Sequence, residues 1–586
     1  MRPLSSSSMP SAMSENVVLK KNPYSLARFE TIRQEGGAYV DKTRYLELLE
    51  SSLARYPFIV RPRRFGKTLF TQTLQAYYDI VAAKDFEKNF AGTYIGEHKT
   101  PLASKYRVLL LDFSGINPAN FQEGFVTAIR TNLQFFCDHN GFEELRQTIA
   151  KEFTDPCILI ETFFAAYSAC CRDKIYLIID EYDQSANEIL ADNVDKFRGL
   201  TKSGGMLKAF YAKLKFMATC GPIEWIFITG VTSIQLDSMT SGFSIATNFS
   251  NDPAFAGMFG FSESELRNLI PQLVDLKRCG RTLDEIVTRM KEWYNGYRFS
   301  ADSDESVFNA SMCLNYLRLI ARTSREPQRM LDPSFANSLD KIEAILSQGN
   351  PAFVRSVIDQ AMRQEPIPFC GDLQVLNLNQ RNGFNDDCVL SALYYMGFLT
   401  FAPEDWEHLV VPNRAIGIQF FEYFFKNILQ AGKYQFNDAE FSKAYQALAA
   451  GDPKPWLELS DKRLIEESGV HMNAQLTEKV FQTMLSATLW FSACYRGQLE
   501  YESRGDSSGF MDLLLTPRGD KTLPTYVIEV KHLGMNEKDA TVAAALAEAR
   551  NQATRYAAGD ALKNVPNVKR VAIVYKGLKI GALDIF

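Results

Sequence analysis

The sequence predicts a multidomain α/β protein: a parallel sheet with helices on both faces, a helical middle region with a winged-helix-like element, and a second α/β domain at the carboxyl end. Three observations predict it. Continuous apolar runs alternate with helical stretches over the amino-terminal half, the pattern of buried parallel strands. From about Val307 to Phe420 that alternation stops. Near the carboxyl end, two neighbouring apolar runs carry acids at strand spacing.

With 586 residues, 46% of them apolar, the chain can bury several cores, and about two to four domains are expected. A net charge of −5 advertises no nucleic-acid partner globally, although a cleft can still be locally basic. Ten cysteines without a Cys-x-x-Cys pair, and only five histidines, argue for a reducing interior and against a zinc site. Residues 1–21 read as a disordered leader rather than a signal peptide. No apolar run is long enough to span a bilayer, so a cytoplasmic protein without a membrane partner is expected.

Tyr56-Pro57-Phe58-Ile59-Val60 reads as a strand, followed by the loop Arg61-Pro62-Arg63-Arg64-Phe65-Gly66-Lys67-Thr68 and a helix to about Ile80. Strand, Gly-Lys-Thr turn and helix make a P-loop: backbone N–H groups and a helix N-terminus face an anion. Lys67 would reach the β and γ phosphates and Thr68 would hold Mg2+. Arg61 stands where the first glycine of such a loop belongs; Arg63 and Arg64 can add guanidinium contacts to phosphate. A basic turn before an amphipathic helix is the competing reading. Lys174 to Asp183 supplies the second element, an apolar strand ending in acids; Asp180 would bind Mg2+ and Glu181 would orient the attacking water. Val108 to Asp112 and Trp225 to Gly230 are further strands, and Thr229 is placed to sense the γ phosphate.

In the middle region, Cys388 to Phe401 reads as a helix closing on a strand, and Glu407 to Asn413 as a returning strand. A helix with a two-stranded wing can dock on DNA or on its own ATPase. Without an Arg or Lys cluster to mark a recognition helix, packing is the simpler reading. From Phe420 to about Asp461 the pattern is helical with aromatic stripes.

At the carboxyl end Asp512 lies in the run Phe510 to Leu515, and Tyr526 to Lys531 carries Glu529 and Lys531 two residues apart, hence on one side of a strand. Such a constellation can hold a hard divalent cation and poise a water for phosphodiester attack; a solvated edge strand is the alternative. The other Glu-x-Lys, Glu97-His98-Lys99, reads as a loop.

Taken together, Tyr39 to Thr43, the Arg61 to Thr68 loop, Asp180 to Asp183, Thr229 through Phe243, and Trp293 to Tyr297 resemble a bacterial family. Its members carry an AAA-like ATPase domain followed by a PD-(D/E)XK nuclease-superfamily domain. The resemblance covers nearly the whole chain after about Asn22. It implies an ATPase domain over 22–300, a helical, winged-helix-like region over 301–460, and a restriction-endonuclease-like domain over 461–586. In that family the loop commonly lacks the first glycine.

The family's nuclease pattern is an acid on the first helix, a Gly-Arg-x-Asp strand, a Glu-x-Lys strand and a later helix bearing Gln. Here it maps to Glu478, with Thr477 as helix cap, to Asp512, to Glu529 and Lys531, and to Gln552; Phe510 replaces the arginine. The resemblance implies Glu478, Asp512 and Glu529 as metal ligands and Lys531 as positioner of water or stabiliser of phosphate charge. It further implies ATP, Mg2+ (or Mn2+ at the nuclease site), a nucleic acid such as DNA as partner, and a homo-oligomer through the ATPase domain. The expectation is an ATPase coupled to a metal-dependent nuclease. The alternative is a nucleotide-operated switch whose last domain binds nucleic acid or protein without cutting.

Overall fold

The computed structural model describes residues 19–184, 205–232, 245–327, 330–331, 346–347, 349–369, 373, 385–403, 405–423, 438–467, 478–489, 492, 494–503, 509–518, 520–560 and 562–586. The expected leader up to residue 18, Thr477, and the run from Leu236 to Phe243 lie outside them. Lys20 and Lys21, expected in the leader, already hydrogen-bond to the Gln272 and Gly36 carbonyls, so the ordered fold begins before Asn22.

Five parallel strands form the first sheet: β1 (Pro57–Val60), β2 (Arg107–Asp112), β3 (Ile175–Asp180), β4 (Ile223–Gly230) and β5 (Thr247–Asn248), in the order β2-β3-β4-β1-β5. Every residue of β1 and β3 is buried, as their unbroken apolar runs require. Crossovers run through helices, among them α1 (Lys67–Tyr78), α2 (Phe121–Asn140), α3 (Pro156–Cys170) and α4 (Met206–Cys220). The chain leaves β1 for the far edge at β2 and returns through β3 to β4. The carboxyl ends of β1, β3 and β4 therefore meet at the reversal of strand order, where α/β sheets open a ligand crevice. Glu97, expected in a loop, closes a four-residue helix (Tyr94–Glu97) capped by Thr93.

The middle region has the expected helix and antiparallel wing: α5 (Asp386–Tyr395), then β7 (Thr400–Ala402) and β8 (Asp405–Val410), joined by the short β6 (Ile367–Pro368) in the order β6-β8-β7. From Cys388 to Tyr395 every residue of α5 is buried, so this helix packs rather than offering a face to a groove. Its partner is the Arg61 loop. Gly397 has φ +82°, and a Cβ there would stand 2.9 Å from the Pro62 ring. Helix α6 (Arg414–Tyr423) follows.

The last sheet runs β13-β12-β11-β10-β9, with β9 (Tyr495–Ser503), β10 (Gly509–Pro517), β11 (Thr525–Leu533), β12 (Val568–Lys576) and β13 (Lys579–Ile585). All neighbours are antiparallel except β11 and β12, and that pair is joined by the crossover helix α8 (Asp539–Ala557), because parallel strands cannot be linked by a tight turn. Ala553 and Tyr556 of α8 pack on Met511, Leu514 and Val527. Phe481 of α7 (Glu478–Thr488) joins the main core, its ring 4.0 Å from that of Tyr575. That core is one continuous apolar cluster reaching from Phe29 through the middle region to Tyr575. Among the described residues no helix is long and apolar enough to cross a membrane.

Candidate functional site

The Arg61 to Thr68 loop leaves β1 and enters α1 at Gly66, whose φ of +98° suits only glycine. The carbonyls of the loop are held from outside: Gly260 N–H donates to Phe65 O (2.9 Å) and Ser311 N–H to Arg64 O (3.2 Å). A planar peptide whose carbonyl is held on one side presents its N–H on the other. Lys67 is buried and donates to Arg61 O (3.1 Å) and Pro62 O (3.2 Å). Thr68 is exposed to a cavity of about 490 Å³. Arg63, Arg64, Gly66, Lys67 and Thr68 line its polar part, while Leu26, Tyr39, Met258 and Leu314 line an apolar part. A polar cradle with an apolar extension matches a molecule with a phosphate end and a flat, apolar-faced end.

Asp180 ends β3. One oxygen accepts the Glu181 N–H (2.9 Å), the other the Thr71 hydroxyl (3.3 Å), one turn along α1 from Thr68. Burial, then the neighbouring Glu181, pushes its carboxyl up to about 6. Glu181 itself lines the cavity in a left-handed backbone conformation (φ +50°), and among the described residues its buried Oε2 has no hydrogen-bond partner. A non-glycine residue held there costs about 1–3 kcal/mol, a strain that concentrates at functional positions.

Two expectations are corrected. Arg61 does not face the cavity: its guanidinium is buried and donates to Val60 O (2.8 Å), Ser250 O (2.7 Å) and Phe255 O (3.0 Å), stacked over the Phe299 ring. Occupying the site of the missing glycine, it ties the loop to the segment after β5. Thr229 does not reach the cavity either, because its buried hydroxyl donates to Ile59 O (2.7 Å) on β1.

In the last sheet, β10 and β11 pair as far as Leu513↔Ile528. Continuing that register places Asp512 opposite Glu529, and there side chains replace the ladder. The Val530 N–H donates to Asp512 Oδ2 (2.7 Å), and the Asp512 N–H to Glu529 Oε1 (3.2 Å). β10 remains paired to β9 and β11 to β12, so the sheet parts at the two acids. Burial and the neighbouring carboxylate hold Glu529 well above the usual carboxylate range; burial, opposed by the Val530 N–H and the Lys531 charge, also raises Asp512.

Lys531 lies 3.6 Å from Glu548 of α8. Gln552, one turn further along α8, has a buried Oε1 without a hydrogen-bond partner among the described residues. Glu478 opens α7 and acts on Asp512 through charge. Among the described residues no three His, Cys, Asp or Glu side chains form a ready metal cage, so the expected three-acid set is a bonded pair with a third acid at longer range. Two crowded carboxylates, each with one oxygen outside these bonds, are donors that suit a hard divalent cation.

Residues 23–240 match the family model described as predicted AAA-ATPase, and residues 476–581 match that of the PD-(D/E)XK nuclease superfamily. The chain joins an AAA-ATPase-like domain to a PD-(D/E)XK nuclease-superfamily domain. A protein of Azotobacter chroococcum mcd 1, described as an uncharacterized protein in the vnfD 5' region, is 26% identical over 295 residues. The match covers 50% of this chain and 50% of that one, so the chain spans about half the length of its curated relative. The crystal structure of Cdc6p from Pyrobaculum aerophilum aligns over 70% of this chain and 97% of that one at 13% identity. Its TM-score of 0.24 is too low to carry an argument.

Sequence reasoning missed several participants. In the AAA-like domain these are Thr71, which holds Asp180, and Gln184, which lines the cavity one turn after Glu181. In the PD-(D/E)XK domain it missed Glu548. The signal was present: Glu548 and Gln552 stand four apart on α8, hence on one helix face.

Proposed function

We propose that this protein is a cytoplasmic, ATP-operated phosphodiesterase: Mg-ATP bound and hydrolysed in the cradle governs divalent-cation-dependent cleavage of nucleic acid, DNA before RNA, at Asp512 and Glu529. The observation that carries this reading is the parting of β10 and β11 around two buried carboxylates beside Lys531. Asp512 and Glu529 would hold the cation, with Glu478 adding negative charge. The ion, when bound, supplies Lewis-acid polarisation of the phosphoryl group and an acidified water. Lys531, steadied by Glu548, positions the nucleophile or stabilises charge on the phosphate, and the amide of Gln552 orients the water.

In the cradle, Lys67 exchanges the Arg61 and Pro62 carbonyls for phosphate oxygens, with Arg63 and Arg64 adding contacts. Thr68 and Asp180 hold Mg2+, and Glu181 orients the attacking water. Assembly through the AAA-like domain would supply a further arginine from a second copy. The route between sites starts at the loop itself, whose Pro62 touches Gly397 and whose Arg61 shares a seam with Tyr394 and Tyr395 of α5.

The test incubates the purified chain with labelled duplex DNA, single-stranded DNA and RNA, with and without Mg2+ or Mn2+, beside Glu529→Ala and Lys531→Ala. Products that require the metal and vanish in both variants support the reading, and cleavage unchanged in both refutes it. Phe510, 61% exposed where the family carries arginine, favours one second reading: a switch that binds nucleic acid without cutting it. Binding without products would establish that one.

A further inference from the structure

A second polar cavity, of about 330 Å³, lies where the three regions of the chain meet, away from both sites above. Lys291 and Glu292 reach it from the helix Leu283–Tyr294. Asn413 and Arg414 reach it from the start of α6, Gln364 from the end of the helix Pro351–Arg363, and Arg518 from the end of β10. Its volume is in the range of small-ligand pockets, ~300–1,000 Å³.

Its charge is unbalanced. Three cations face one carboxylate, Glu292, which is shared between Arg414 Nη1 (3.2 Å) and Arg289 Nη1 (3.3 Å). The Arg414 pair lacks hydrogen-bond geometry, so among the described residues Nη1 of a side chain only 7% exposed is without a hydrogen-bond partner. Arg518 donates to Tyr495 O (2.9 Å) and Gln364 Oε1 (3.2 Å) and makes no ion pair among the described residues. Lys291 pairs with Glu263, which also serves Arg267. Asn413 caps α6 by accepting the Ile416 N–H (3.2 Å), so the positive end of that helix opens beside Arg414.

Burying a guanidinium is costly, and burial, only partly offset by Glu292 and reinforced by Arg289 and Arg518, lowers Arg414 to about 10; burial and the Arg496 charge also lower Arg518, whose side chain keeps contact with solvent. Guanidinium forks on separate walls call for a ligand with several charged oxygens on one centre, which a phosphoryl group has and a carboxylate lacks.

We propose that this junction binds a small phosphate-bearing anion, with Arg414, Arg518 and Lys291 as its contacts. Each of the three residues comes from a different region, so the bound anion holds the AAA-like domain, the middle region and the PD-(D/E)XK domain in one arrangement.

The test uses the full chain carrying Lys67→Ala, in EDTA, so that neither proposed active site contributes and a failure here leaves the proposed function untouched. Inorganic pyrophosphate is titrated while binding and Tm are followed. One equivalent binds and raises Tm. Arg518→Gln and Lys291→Gln, made separately in that background, each weaken binding about tenfold, the value of one charge-assisted hydrogen bond. Should Arg518→Gln fail to fold, Lys291→Gln decides alone, because that side chain is exposed and hydrogen-bonds no backbone carbonyl among the described residues. The proposal is overturned by no binding, or by binding unchanged in the folded variants. It is also overturned by equal stabilisation from succinate, or by displacement of pyrophosphate by single-stranded DNA, which would make the cavity a nucleic-acid contact.

Discussion

In the AAA-like domain the decisive charge is an ammonium that the protein already satisfies, since Lys67 rests on two carbonyls of its own loop. In the PD-(D/E)XK domain it is a pair of carboxylates that the protein leaves under-compensated, Asp512 and Glu529 facing each other across a gap in the sheet. A satisfied lysine keeps the cradle folded without ligand and makes nucleotide binding an exchange of partners. A crowded carboxylate pair stores repulsion that only a cation or a proton relieves. The first site is built to be emptied and refilled, the second to hold an ion.

The contrast can be broken in several places. The largest effect is expected from Glu529→Ala or Lys531→Ala, which remove groups acting on the reacting phosphate; metal-dependent cleavage should fall by about 10²–10³ while the circular dichroism spectrum stays that of the parent. Next comes Glu181→Gln, which keeps the shape of a side chain whose Oε2 has no hydrogen-bond partner among the described residues but removes its charge. Phosphate release from ATP should drop by about 10²-fold, within the range of positioned acid–base groups, with nucleotide binding retained. Equal hydrolysis rates would take Glu181 out of the mechanism.

The smallest effect sharpens the comparison most. Asp512→Asn removes the charge that crowds Glu529 and keeps an oxygen for the Val530 N–H, so in EDTA, at a pH where Glu529 is ionised, it should raise stability by about 1 kcal/mol. Lys67→Ala leaves the Arg61 and Pro62 carbonyls without their donor and should lower it by about 1–3 kcal/mol. Thermal melts of the two variants beside the parent read the opposite signs directly. Shifts in the same direction would mean that the two sites do not differ in the way described.

Much of this was legible in the sequence because strands and phosphate loops write themselves locally. Unbroken apolar runs gave β1 and β3 their buried positions, Gly66 marked the turn into α1, and the two-residue spacing of Glu529 and Lys531 marked one face of β11. What local pattern does not encode is the direction of a polar side chain that has two possible partners. Arg61 could have met phosphate or protein carbonyls, and the segment near Ser250, about 190 positions away, took it inside. Thr229 could have faced a ligand, and the neighbouring β1 carbonyl took its hydroxyl. Glu478 was assigned by pattern to a shared ion; it opens α7 and raises Asp512 through its charge, and among the described residues it forms no ready three-acid group with Asp512 and Glu529. The junction cavity is the extreme case: its three cations are scattered from Lys291 to Arg518, and no periodicity connects them.

The most direct measurement is Mn2+ binding by electron paramagnetic resonance to the full chain carrying Lys67→Ala, without nucleotide, compared with the same protein carrying Asp512→Asn and Glu529→Gln in addition. The account predicts about one tightly held Mn2+ per chain in the first protein and its loss in the second, both folded. Equal Mn2+ occupancy in the two proteins, or none in either, would contradict it.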